Sequence, residues 1–124
     1  MSTSVNQEEE KLSITTHVLD TSRGRPADGL FVGLYKFENN EWIFLKGSTT
    51  DSNGRCENLL QGLQENSGSS RFKIEFWVND YFKRIATASM YPMIDVIFDV
   101  QHSNDHYHIP LLLNPFGYTT YRGS

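Results

Sequence analysis

The sequence predicts an all-β domain, an antiparallel β-sandwich, and three of its features do so. Short stretches rich in β-branched and aromatic residues recur along the whole chain. Clusters of Gly, Asn, Asp and Pro punctuate them, as they do between strands. One stretch carries a helical pattern, and it is brief. About seven or eight short strands with a single short helix bury themselves best as two packed sheets.

The first strand is expected in "KLSITTHVLD", where Leu12, Ile14 and Val18 share one parity and Ser13, Thr15 and His17 the other. Strand side chains alternate between faces, so His17 should point away from the side that the apolar residues bury. "RGRPADG" reads as a loop. Residues 30–37, "LFVGLYKF", are apolar on both parities, as in a strand covered on both sides. "ENNE" turns the chain, and "WIFLKGS" (42–48) returns it as the hairpin partner. "TTDSNGRC" holds a turn centred on Asn53 and Gly54, which accept positive φ at low cost. The polar stretch "QGLQENSGSS" reads as loop.

In "RFKIEFWV" the inward set is Phe72, Ile74, Phe76 and Val78. "NDYFKRIATA" predicts the helix, with Asn79 or Asp80 as its N-cap. "MIDVIFDV" alternates again: Ile94, Val96, Phe98 and Val100 inward, Asp95 and Asp99 outward. "HSND" turns the chain, and "HYHIPLLL" and "FGYTTYR" supply the last two strands.

Composition narrows the functional classes. A chain of 124 residues suits one domain with a real core. Its net charge of −4, without a basic stripe, argues against nucleic acid. No apolar run approaches the ~20 residues of a membrane span. The first ten residues, "MSTSVNQEEE", lack the apolar centre of a secretory signal and are expected to be a disordered leader, with the domain at 11–124. A single cysteine, Cys56, fits a reducing compartment. The cytoplasm is the expected location, with the peroxisome as the alternative, although "RGS" is a poor peroxisomal address.

Few residues could carry chemistry. His106 and His108, at i and i+2, share a strand face with Cβ atoms roughly 7 Å apart. They could approach one metal, one water or one substrate, or be two surface histidines beside a turn. Zinc would need a third ligand, for which His17 is the candidate. Arg55, straight after a tight turn, either presents a guanidinium or is a solvated loop charge. Cys56 reads as a small inert side chain rather than a nucleophile. "IPLLL" is apolar on both parities, so a second subunit is expected over the outer face beside the histidines.

The stretches "ITTHVLDTSRGRPA", "TTDSNGRC" and "HYHIPLLLNPFGYTTYRGS" resemble the 5-hydroxyisourate hydrolase family, the transthyretin-like enzymes of urate degradation. The likeness runs from about Leu12 to Ser124, and the ending Tyr121-Arg122-Gly123-Ser124 is its most specific element. It implies a sandwich of two four-stranded sheets with one short helix, and a homotetramer with active sites in a channel between dimers. It implies catalytic roles for His17, Arg55, His108 and Ser124, and substrate contacts from His17, Arg55, His106 and Tyr121. No cofactor is required; zinc at His17, His106 and His108 is allowed, because the partner histidine joins a zinc in some relatives. The implied reaction opens 5-hydroxyisourate to 5-hydroxy-2-oxo-4-ureido-2,5-dihydro-1H-imidazole-5-carboxylate, on the route to allantoin. Ser124 should then end inside the cleft. The alternative is a carrier of a small aromatic ligand in the same channel; an adhesion-type sandwich is disfavoured by the unpaired cysteine.

Overall fold

The structure, a computed structural model, describes residues 12–63, 69–101 and 105–124. The leader, the centre of the "QGLQENSGSS" stretch and most of the "HSND" turn lie outside the described residues. Two sheets pack face to face. The second is wholly antiparallel, in the order β4 (Glu41–Thr49), β3 (Phe31–Glu38), β6 (Ser70–Phe76), β7 (Ile94–Val100). Asn39 and Asn40, both at positive φ, close the β3–β4 hairpin; this backbone matches the twist of the flanking strands.

The first sheet is built around β1 (Leu12–Asp20). Along one edge runs β8 (His106–Asn114), which pairs in turn with β9 (Gly117–Thr120). The other edge is shared. β5 (Arg55–Leu63) pairs with Leu12–His17 and the two-residue β2 (Arg25–Pro26) with Leu19–Asp20. The sheet therefore counts five strands but is four strands wide. It is also mixed rather than purely antiparallel, because β1 and β8 run parallel. β2 falls within the expected "RGRPADG" loop, and β5 extends as a strand to Leu63, into the stretch read as loop.

The alternations in β1, β6 and β7 place side chains as expected. Leu12, Ile14 and Val18 are buried, as are Phe72, Ile74 and Phe76; Val78 is buried as well, but β6 ends at Phe76 and Val78 opens the helix that follows. Val32 and Leu34 of β3 meet Leu111 and Leu113 of β8 in the same core. Thr16 shares the inward parity of β1, and its hydroxyl donates to Ile109 O at 2.5 Å, so burial leaves it satisfied.

The helix α1 (Val78–Arg84) starts earlier than its polar residues suggest. Its N-cap position is Trp77, without a side-chain cap, and Asn79 and Asp80 lie inside the helix. Burial of Val78, Tyr81 and Phe82, at i, i+3 and i+4, outweighs the missing cap. Tyr81 Oη donates to Asp20 Oδ2 at 2.7 Å, while Asp20 Oδ1 accepts from Ser22 Oγ and from the Ser22 and Arg23 amides. A wholly buried carboxylate thus gains a full set of donors and ties the helix to the end of β1. This scaffold leaves the outer face of the first sheet to carry Ser13, Thr15, His17, His106 and His108.

Candidate active site

Strand register assembles the site. His17 stands opposite Arg55 of β5, and Thr15 opposite His108 of β8. Ser13 stands opposite His106. Paired residues in adjacent strands project to the same face, so three strands deliver three histidines and an arginine to one surface. The hydroxyls of β1 then hold the imidazoles of β8. Thr15 Oγ1 lies 2.7 Å from His108 Nδ1 and 3.4 Å from His106 Nε2, and Ser13 Oγ lies 2.6 Å from His106 Nδ1. The two rings are nearly parallel, with centroids 6.5 Å apart.

The turn before β5 aims Arg55. Asp51 Oδ1 accepts from the Asn53 amide at 2.8 Å and the Arg55 amide at 3.0 Å, and these two bonds hold the Asp51 carboxyl below the usual carboxylate range. Gly54 sits at φ +77°, and a Cβ there would stand 2.3 Å from Val18 O. Only glycine lets the turn approach β1 so closely, where the Val18 amide donates to Gly54 O at 2.7 Å. Arg55 Nε has a loose ion pair with Glu57, at 3.9 Å.

His17 and His108 are both held towards their neutral form. Burial lowers the pKa of His17 first, and the Arg55 guanidinium lowers it further; a hydrogen bond with the Asn53 backbone opposes them. Burial also leads for His108, followed by Arg55, His106 and His17, with Glu57 opposing. A neutral imidazole near a fixed guanidinium is suited to take a proton while the cation meets developing negative charge.

The segment after β9 folds back over His108. The Gly123 amide donates to His108 O at 2.7 Å, an isolated β-bridge between this segment and β8. A Cβ on Gly123 would lie 2.7 Å from His108 Cδ2 and 3.1 Å from Pro110 Cγ. Ser124 is exposed, one residue beyond that bridge. Tyr121 is exposed and lines a cavity of about 380 Å³ between β7 and the β8–β9 edge, whose lining includes none of His17, His106 and His108. Cys56 is 3% exposed, and burial pushes its thiol pKa up, as befits an inert side chain.

Sequence reasoning gave no role to Thr15, Ser13 or Asp51. The signal for the first two was there, since they share the parity of His17. Among the described residues, no group of three or more His, Cys, Asp or Glu side chains is placed to hold a metal ion. His17, His106 and His108, the zinc set that the resemblance allows, are therefore not assembled as a three-ligand group among the described residues.

Residues 14–123 match the model of the HIUase/Transthyretin family. The chain is 41% identical over 117 residues to the 5-hydroxyisourate hydrolase of Mus musculus, covering 93% of this chain and 98% of that one. It is 43% identical over 117 residues to the 5-hydroxyisourate hydrolase of Halalkalibacterium halodurans, covering 90% and 97%. Among solved structures it resembles the 5-hydroxyisourate hydrolase of Klebsiella pneumoniae, with TM-score 0.74 and 28% identity over 90% of this chain and 93% of that one. Sea bream transthyretin in complex with thyroxine, at TM-score 0.81 and 24% identity over 90% and 94%, shares the fold alone.

Proposed function

The chain belongs to the HIUase/Transthyretin family, and from that premise we propose that it hydrolyses 5-hydroxyisourate in urate degradation. The observation that carries the reading is the strand register that sets His17 opposite Arg55 and brings His108 to the same face, where burial and then Arg55 lower both imidazole pKa values.

The substrate is a planar, oxidised purine, and the bond that breaks is the ring amide between N1 and C6. Water attacks the C6 carbonyl and gives its proton to His108 Nε2, assisted by His17. Such a base is worth about 10²–10⁴-fold. In the tautomer that leaves Nε2 basic, His108 Nδ1–H donates to Thr15 Oγ1. The oxyanion on C6 faces Arg55. The proton held by His108 then passes to N1 as the C6–N1 bond breaks, releasing a ureido group and a carboxylate. Ser124 orients the water or relays the proton; no covalent intermediate is needed. His106 and Tyr121 belong to the reading as substrate contacts.

No cofactor is required in this reading, and no step runs through a metal. Carriage of an aromatic ligand has no use for a depressed, hydroxyl-held imidazole. A homotetramer is part of the reading. Its support is Leu19 opposite Leu112 in register, on the outer parity that also carries His17 and His108. The cytoplasm is the proposed compartment, with one buried free cysteine as support; no helix among the described residues is long and apolar enough to cross a membrane. The test is to add freshly generated 5-hydroxyisourate and follow its ultraviolet decay with and without the protein. Decay at the buffer rate overturns the reading.

A further inference from the structure

Arg122 has no part in the proposed chemistry, yet its half-exposed side chain meets three groups of the chain before it. Its guanidinium lies 4.0 Å from the centroid of the Tyr107 ring. Nη2 donates to His106 O at 3.0 Å and to Asp105 Oδ2 at 3.4 Å. Tyr107 is itself fixed: it is buried in the core cluster, and its hydroxyl accepts from the Gln101 amide at 3.2 Å. Tyr107 alternates with His106 and His108 along β8, so its ring takes the opposite face of the strand. Arg122 and Tyr107 together line the cavity between β7 and the β8–β9 edge, whose lining contains none of the three histidines. The guanidinium is therefore spent on the far side of β8 from the imidazoles.

The next residue crosses to the near side. Gly123 donates to His108 O and packs where a Cβ would strike His108 Cδ2, the carbon bonded to Nε2. The chain thus grips β8 from both sides, with Arg122 on one face and Gly123 on the other. We infer that Arg122 is a positioning residue: it anchors the 121–124 segment so that Gly123 is held against His108 and Ser124 is delivered to the histidine face. Arginine suits this role because one planar fork can stack on a ring while it reaches a carbonyl and a carboxylate. Lysine keeps the charge but loses the stack and the fork.

The inference rests on the proposed hydrolase reading, and two readouts keep their failures apart. The first needs no turnover: hydrogen exchange at the Gly123 amide in the full chain. Arg122→Gln should speed that exchange by about tenfold or more, the effect of losing one charge-assisted hydrogen bond, with Arg122→Lys close behind. The second is a cycle in kcat for wild type, Arg122→Gln, Gly123→Val and the double variant. Each single variant should lose roughly tenfold to 10²-fold, as misplacing a reacting group does. The double variant should be no slower than the slower single one, because both act by releasing the same segment. Unchanged Gly123 exchange in Arg122→Gln, unchanged kcat, or losses that multiply would each overturn the inference. A wild type without turnover overturns the hydrolase reading instead, and the exchange experiment still decides whether Arg122 anchors the segment.

Discussion

Thr15 Oγ1 and His108 Nδ1 lie 2.7 Å apart across two parallel strands. That bond fixes which ring nitrogen of His108 is free and how the ring is turned. Thr15→Val keeps the shape of the side chain and removes the hydroxyl, so kcat should fall about tenfold or more. Thr15→Ser should recover most of it. Steady-state kinetics of the three proteins check this, and a fully active Thr15→Val would show that His108 needs no such partner.

Activity should follow the neutral form of both imidazoles. Because His17 and His108 lie below the usual 6.5, kcat/KM should stay level through neutral pH and fall on an acid limb centred below that value. Arg55→Gln removes the second-largest cause of both shifts. It should slow turnover by roughly 10²–10³-fold through loss of the oxyanion partner and move the remaining acid limb upward. A limb that stays in place, or moves down, would mean that Arg55 does not act on these rings.

The same shifts bear on stability. A histidine whose folded pKa is lowered leaves the unfolded chain as the tighter proton binder in the window between the two values. The contribution of neutral His17 and His108 is thus present above about pH 6.5 and is lost as pH falls through their lowered folded values. Melting temperature should decline on acidification through that window, less steeply in a His17→Gln, His108→Gln double variant. An equal slope in both proteins would contradict the shifts.

Gly54→Ala should cost about 1–3 kcal/mol, since φ is +77° and the added Cβ meets Val18 O. It should also lower turnover, because Arg55 is the next residue. Denaturant melts and kcat/KM read the two effects; an unperturbed protein would mean that the turn does not set the position of Arg55.

Much of this architecture can be read from local pattern, and the failures have physical causes. β1, β6 and β7 alternate cleanly, so their inward sets are legible. β5 is not, because its pairing with β1 shifts register twice, after Leu12 and again between Ile14 and Thr16, which breaks the period that marks a strand. The start of α1 is obscured because burial of Val78, Tyr81 and Phe82 decides it, whereas Asn79 and Asp80 offer only a local cap. Likewise, nothing local could reveal that β8 lies parallel to β1. That pairing sets Thr15 against His108, so the holder of the base is visible only in three dimensions. The Arg122 grip escapes the sequence for the same reason, since its partners lie 15 to 17 positions away.

The most direct test of the central claim is kcat/KM for 5-hydroxyisourate in wild type and His108→Gln, with folding and assembly verified in both. Wild-type decay should run far above the buffer rate, and the variant should lose about 10²-fold or more, the worth of a general base. A folded His108→Gln protein with undiminished kcat/KM would show that His108 is not the base, and the site described above would have to be redrawn around another group.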